Sequence, residues 1–254
     1  MTRREKTGVL PLLGALLGLA LLGLAAPALG EKGKGGALPA RFYRAPFALM
    51  SLSVGAPDKG WQVRAKKLKP ASSLKIKTNS KPNVYGHPSL VLMLQRSARD
   101  VSNAGKGAVM LVGDLSSENG GPLAGHVSHQ SGRDADVGFY VVDQNGKSKL
   151  LDRFVTFRGD GTSTQEPNLR FDDWRNWLLV QSWVRDRRAG LSHIFVSRPL
   201  RQRLLAFAKK NASYAKYVDE ASVLLKQPED SAPHDDHFHV RVSCPSSQSE
   251  ICRK

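Results

Sequence analysis

Polar and apolar residues alternate along residues 236–243, which read Asp-His-Phe-His-Val-Arg-Val-Ser. A period of two is typical of a β-strand with one buried face, because successive side chains point to opposite sides. The apolar members are predicted to face the core: Phe238, Val240 and Val242. The other face then carries His237, His239 and Arg241, so two imidazoles are expected side by side.

Other hydrophobic patterns along the chain predict both strands and helices. Short alternating or continuous apolar runs predict strands at residues 61–64, 74–77, 108–113, 135–142 and 192–197. Amphipathic stretches predict helices at residues 88–104, 172–184, 199–210 and 214–226. Asp172 is placed to cap the second of these helices. The tryptophans of that helix are expected to pack in the core rather than to form a sugar platform: Trp174, Trp177 and Trp183.

Histidines are concentrated in two short segments. Of the seven in the chain, two lie in residues 125–136 and three in residues 234–239. The first segment carries His126, His129 and Asp136, with glycines that let the backbone turn. Three protein ligands of mixed histidine and carboxylate type, with a fourth position left to water, are how catalytic zinc is usually held. The clustering favours a metal site over structural histidines.

Several phrases of this sequence resemble one family closely. They are Tyr85-Gly-His-Pro88, Gly113-Asp-Leu-Ser116, Gly120-Gly-Pro122, Gly125-His-Val-Ser-His-Gln130 and His237-Phe-His-Val-Arg241. Together they resemble the penicillin-insensitive murein endopeptidases, zinc peptidases that cut peptidoglycan stem peptides. The resemblance runs from about Ser51 to Cys252. Its motifs are dense rather than isolated, which makes it specific.

The resemblance implies a fold, a cofactor and a set of site residues. The fold would be α+β, with a central antiparallel sheet that carries the zinc ligands and helices that flank it. Candidate ligands of Zn²⁺ are His129, Asp136 and His239, with His126 as a further candidate. His237 would transfer protons or stabilise developing charge, and His234 would lie in the cleft as a second catalytic candidate. The reaction would be hydrolysis of D-alanyl–diaminopimelate cross-bridges.

Two other functions stay open from the sequence alone. One is a D,D-carboxypeptidase or dipeptidase of the same zinc group, because the metal motif is shared and the shape of the cleft decides between them. The other is a catalytically silent wall-binding protein that keeps the zinc for structure. His237 argues against the silent protein, because a structural zinc normally has four protein ligands and no spare histidine.

The N-terminal segment predicts export. Residues 1–30 combine Arg3, Arg4 and Lys6 with a long apolar run and a small-residue cleavage signal, as in a secretory signal peptide. An uncleaved membrane anchor is the alternative, since the run is near the length that can span a bilayer. After cleavage we expect a flexible leader at 31–40, a single peptidase domain at 41–254, no stable membrane anchor and a periplasmic location.

Charge and cysteine content fit an exported protein. Removal of residues 1–30 lowers the formal net charge from +16 to +14. A charge of this size favours a polyanionic partner. Because an exported protein rarely meets nucleic acid, the carboxylates of peptidoglycan stems are the better candidate, with simple solubility as the alternative. The only cysteines, Cys244 and Cys252, are predicted to form a disulfide in an oxidising compartment.

Overall fold

A computed structural model describes residues 37–229 and 231–254. The predicted signal peptide and most of the predicted leader lie outside these residues, and the division into 1–30, 31–40 and 41–254 stays a prediction. In the part of the chain that is described, no helix is long and apolar enough to cross a membrane.

Thirteen short strands and five α-helices make up the described residues, together with four 3-10 helices. The strands are β1 (Leu52–Gly55), β2 (Gly60–Val63), β3 (Lys66–Lys67), β4 (Leu74–Ile76), β5 (Tyr85–Gly86), β6 (Met110–Val112), β7 (Asp134–Gly138), β8 (Val141–Asp143), β9 (Ser148–Lys149), β10 (Leu169–Phe171), β11 (Leu191–Phe195), β12 (Leu225–Lys226) and β13 (His237–Val242). The helices are α1 (Pro88–Ala104), α2 (Asp173–Arg185), α3 (Arg198–Lys209), α4 (Ala212–Ala215) and α5 (Val218–Leu224).

One six-stranded sheet organises the molecule, in the order β12-β11-β13-β7-β6-β4. This mixture of a central sheet and helices confirms the predicted α+β class. The three central pairings are antiparallel, as expected. The two outer pairings, β11 with β12 and β4 with β6, are parallel. They are parallel because helices connect each pair: α1 separates β4 from β6, and α3 to α5 separate β11 from β12.

The core lies between this sheet and its helices. Phe238, Val240 and Val242 are fully buried, as the alternation predicts. Phe238 packs edge-on against Trp183 of α2, with ring centroids 5.6 Å apart. The indole N–H of Trp183 donates to Ser97 of α1 at 3.0 Å, so this buried polar group is satisfied. Trp177 is also fully buried, which confirms the core interpretation for these two tryptophans.

The C-terminal tail folds back onto the N-terminal part of the described chain. The predicted disulfide joins Cys244 and Cys252, whose Cα atoms are 5.7 Å apart. Within this clip, the Gln248 carboxamide accepts from the Ser53 backbone N–H and donates to the Ser51 carbonyl oxygen, both at 2.8 Å. The tail therefore anchors β1 beside the central sheet.

Candidate metal centre

The two histidine segments meet because β7 and β13 are paired in the centre of the sheet. In their antiparallel register, His239 lies opposite Asp136, Arg241 opposite Asp134, and His237 opposite Gly138. Directly opposed residues project to the same face of a sheet. The polar face of β13 and the carboxylates of β7 therefore form one surface, on the side away from Phe238.

His129 reaches this surface from the loop before β7. Its backbone is in the left-handed region at φ 70°, and its carbonyl oxygen accepts from the Ser116 hydroxyl. The ring Nδ1 lies 2.6 Å from the Leu115 carbonyl oxygen. Because a carbonyl only accepts, Nδ1 carries a proton, and in the neutral ring Nε2 keeps a free lone pair. That Nε2 points at Asp136, 3.3 Å from Oδ1.

Three imidazoles converge on a single oxygen, Asp136 Oδ1. His129 Nε2, His237 Nε2 and His239 Nδ1 lie 3.3, 3.4 and 3.6 Å from it. His126 Nδ1 approaches the second carboxylate oxygen at 3.7 Å. His126, His129 and Asp136 each offer a ligand atom within 4.8 Å of the other two. The structure thus brings together the candidate ligands that the sequence indicated.

These separations fit a metal site better than a hydrogen-bonded cluster. Asp136 Oδ1 and His129 Nε2 are buried and have no hydrogen-bond partner among the described residues. Most of the separations exceed the roughly 2.7–3.2 Å of an N–H···O bond. Ligand bonds of about 2.0–2.2 Å at tetrahedral angles put neighbouring ligand atoms about 3.3–3.6 Å apart. A divalent cation would satisfy both orphaned atoms, so the residues present fit such an ion.

The far nitrogen of each imidazole is held by an oxygen. His239 Nε2 lies 2.7 Å from Asp134 Oδ1, and His237 Nδ1 lies 2.5 Å from Asp236 Oδ1. Each of these N–H groups donates to a carboxylate, as the Nδ1–H of His129 does to a carbonyl. Such partners fix the tautomer and direct the free nitrogen of a metal-binding histidine.

The charges in the cluster are strongly coupled. Burial opposes ionisation of Asp136, but His129 and His237 outweigh it and hold the pKa of this carboxyl well below its usual range. Burial likewise works against protonation of His129, yet the neighbouring Asp136 raises the pKa of this imidazole. For His239, burial dominates and lowers the pKa. The carboxylate therefore stays ionised and attracts either protons or a cation.

His237 occupies a more open position than His239. Its side chain is 18% exposed against 9% for His239. The Phe154 ring stacks on it at 4.9 Å, with 19° between the planes. Burial opposes protonation, but Asp136 and Asp236 raise the pKa of His237 to about 10. The ring is thus held by Asp236 and by Phe154, and it stays partly exposed.

His234 stands beside these residues without touching the cluster oxygen. Its ring centroid is 5.1 Å from that of His237 and 5.4 Å from that of His239. Burial, followed by the two neighbouring histidines, lowers the pKa of His234 to about 4. Its buried Nδ1 has no hydrogen-bond partner within residues 37–229 and 231–254. A neutral imidazole at this point can donate to or accept from a bound substrate.

Some residues of the site were not singled out from the sequence. Asp134 is buried and accepts from both His239 and Arg241, and the Asp-x-Asp spacing on β7 was a signal for it. Asp114 accepts from the Asn83 amide at 2.8 Å and lies 3.4 Å from His126. Phe154 is remote in sequence, and no pattern indicated it. Asp236 contacts His237, and the carbonyl oxygen of the adjacent Asp235 accepts from the Phe157 backbone N–H at 2.8 Å.

An α+β fold with a buried cluster of histidines around one carboxylate defines a protein that can hold a divalent metal ion on one face of its central sheet. The chain belongs to the penicillin-insensitive murein endopeptidase family, whose family model matches residues 53–254. This assignment confirms the resemblance that the sequence motifs indicated.

Individual relatives carry the same description. Penicillin-insensitive murein endopeptidases of Escherichia coli O6:K15:H31 (strain 536 / UPEC) and Escherichia coli O1:K1 / APEC are each 29% identical over 167 residues. The aligned part is 65% of this chain and 56% of each relative. The chain thus spans about half the length of the curated relatives it matches.

Proposed function

We propose that this protein is a metal-dependent murein endopeptidase that hydrolyses D-alanyl–diaminopimelate cross-bridges in peptidoglycan. Membership of the family supports the class of reaction and the substrate. The observation that carries the proposal is the convergence of three imidazoles on Asp136 Oδ1. This oxygen and His129 Nε2 are buried and have no hydrogen-bond partner in the described residues.

In this proposal His129, Asp136 and His239 hold the metal, and His126 is a fourth candidate ligand. Zinc is the expected ion, because histidine nitrogen with carboxylate oxygen is a common donor set for it. The bound ion supplies a Lewis acid that polarises the scissile carbonyl and acidifies water. Asp134 and the Leu115 carbonyl keep two of the ligand imidazoles in the required tautomer.

His237 is the proposed acid and base. Its Nε2 lies 3.4 Å from Asp136 Oδ1, and Asp236 holds the opposite nitrogen at 2.5 Å. A base oriented by a carboxylate can take a proton from water and return it to the leaving amine. A cation bound nearby would disfavour the protonated ring and so oppose the raised pKa of His237. His234, neutral at physiological pH, is proposed to hydrogen-bond the substrate or the developing negative charge.

The export, the location and the partners of the enzyme are also proposals. A signal peptide at residues 1–30 would deliver the chain to the periplasm, where peptidoglycan lies. There the chain would act on stem peptides, without a stable membrane anchor and without nucleic acid as a partner. The disulfide between Cys244 and Cys252 suits an oxidising compartment.

Digestion of purified, cross-linked peptidoglycan tests this function, with the fragments identified by mass spectrometry. We expect cross-linked dimers to become monomers, and chelator and His237→Ala to abolish the change. His87→Asn is a matched control, because it replaces a histidine outside the site and keeps a residue that can cap α1. Release of terminal D-alanine alone would indicate a carboxypeptidase. Absence of any cleavage by protein that contains metal would indicate a wall-binding module.

A further inference from the structure

The face of the sheet that carries the metal cluster continues onto β11 and β12. Phe195 of β11 lies opposite His239, and His193 lies opposite Arg241. On the outer side, Lys226 of β12 is the partner of Phe195. Because paired residues share a face of the sheet, one surface runs outward from the candidate ligands to the edge strand.

The centre of this surface is aromatic and partly open. The rings of His193 and Phe195 stack, with centroids 5.1 Å apart and 14° between planes. Phe195 meets His239 edge-on at 5.3 Å. Both β11 residues are only partly buried, whereas Ile194 between them is fully buried on the core face. A substrate that reaches the metal cluster from this side would lie over these two rings.

Two cations border the aromatic floor, which is the pair of stacked rings of His193 and Phe195. The Arg241 Nε donates to Asp134 Oδ1 at 2.6 Å, and its guanidinium carbon lies 5.5 Å from the Phe195 centroid. Its side chain is 21% exposed, and the described residues offer its two terminal nitrogens no hydrogen-bond partner. Lys226 is exposed and forms no ion pair within the described part of the chain. Burial, followed by Lys226 and Arg241, lowers the pKa of His193, so both cations act on the floor.

We propose that Arg241, assisted by Lys226, binds a carboxylate of the substrate next to the scissile bond, over the floor formed by His193 and Phe195. This inference rests on the proposed function. The diaminopimelate side of the cross-bridge carries a carboxylate on the carbon attached to the amide nitrogen, which is the group required. The planar guanidinium fork suits a carboxylate, and Asp134 holds it in place before the substrate arrives.

Asp134 gives the subsite a defined relation to the metal. A single oxygen, Asp134 Oδ1, accepts from both His239 Nε2 and Arg241 Nε. The same buried carboxylate therefore fixes the position of both the Arg241 guanidinium and the candidate ligand His239. A substrate whose carboxylate is bound by Arg241 would have its amide bond presented to the cluster at a fixed distance.

Two cross-linked muropeptides that differ only in this group, free carboxylate or carboxamide, provide the test. We expect the protein to cleave the free acid about 10- to 100-fold faster, as one charge-assisted hydrogen-bonded pair allows. Arg241→Met should remove this preference by slowing only the free acid, and Arg241→Lys should restore part of it. Metal content is measured for every variant. Lys226→Met should have a smaller effect that salt screens.

Two results of the cleavage test would overturn the subsite. One is equal cleavage of both substrates by the unmodified protein. The other is an Arg241→Met variant that, with its metal content intact, slows both substrates equally, which would limit Arg241 to supporting Asp134.

A binding measurement separates the subsite from the reaction. In protein labelled at arginine, the Nε signal absent from Arg241→Met identifies Arg241. We expect a stem peptide with the free carboxylate to shift this signal and its carboxamide to leave it unchanged. Failure to cleave either muropeptide, together with this shift, would overturn the proposed function and support the subsite. No shift with either peptide would overturn the subsite.

Discussion

The two faces of β13 differ in what they contribute. Phe238, Val240 and Val242 are fully buried in the core. The opposite face carries His237, His239 and Arg241, next to buried atoms of Asp136 and His129 that have no hydrogen-bond partner in the part of the chain that the structure describes. An unsatisfied buried polar group costs about 1–3 kcal/mol. One face therefore stabilises the fold, and the other retains an unfavourable arrangement that a cation would relieve.

This comparison predicts that changes to the two faces separate activity from stability. On the site face, His237→Ala should lower the rate of cross-bridge cleavage about 100- to 10,000-fold, because a positioned acid–base group contributes about that much. The free energy of unfolding should fall less than for the core-face substitution below, and what is lost is the attraction of His237 to Asp136 and Asp236. Initial rates and denaturant titration on the same preparations check both statements, and a His237→Ala variant with normal rates would remove this residue from the mechanism.

On the core face, Phe238→Ala should lower the free energy of unfolding by about 3–5 kcal/mol. Phe238 is fully buried, and its ring lies 4.7 Å from that of Phe139 and 5.6 Å from that of Trp183. Denaturant unfolding measures the loss, and Phe238→Leu, which keeps more of the volume, should cost less. If both variants were as stable as the unmodified protein, this face would not be the core.

Asp134 combines properties of both faces of the sheet. It is buried like the core residues, and it accepts a hydrogen bond from the candidate ligand His239. Asp134→Asn should weaken metal binding about 10- to 100-fold, as is usual when the carboxylate behind a metal-binding histidine is replaced. Competition with a chelator of known affinity measures the change. Asp160→Asn, at an exposed turn away from the site, is the matched control. Equal affinities of the two variants would show that Asp134 does not support the ligand.

The site face should also make metal binding dependent on pH. In the metal-free protein Asp136 raises the pKa of His129, and a protonated imidazole cannot be a ligand. Lowering the pH below that raised pKa keeps the proton in place and weakens binding, whereas raising the pH strengthens it. For each proton released, affinity changes by up to about tenfold per pH unit. Titrations between about pH 5 and 8 measure the slope, and a flat profile would contradict the coupling.

The sequence predicted β13 well because one strand in the middle of a sheet has one apolar and one polar face over its whole length. His237 and His239 could be placed side by side for the same reason, since residues two apart on a strand point to the same face. Asp134 obeys the same period of two and was within reach. Phe154 was not, because its contact with His237 depends on the path of a distant segment over two glycines. An added Cβ would collide with the Phe154 ring at Gly113 and would crowd it at Gly138.

Segments that depend on tertiary partners were predicted less accurately. Residues 214–226 were expected to be one helix, but they divide between α4 and α5 and end in β12. Leu225 and Lys226 pair with β11, and the Leu225 carbonyl accepts from Arg201, so a neighbouring strand overrides the helical pattern. The expected strand at 135–142 is interrupted because the Asn176 side chain takes both backbone groups of Tyr140 at 2.9 Å.

The most direct test of the central claim is a metal titration of chelator-stripped protein in which bound zinc and cross-bridge cleavage are followed together. We predict that cleavage returns in proportion to bound zinc and is complete at one ion per chain. Asp136→Asn, which removes the oxygen charge on which the imidazoles converge, should lose both tight binding and cleavage. Full cleavage by the stripped protein, or undiminished zinc binding by Asp136→Asn, would contradict a metal-dependent reaction at this site.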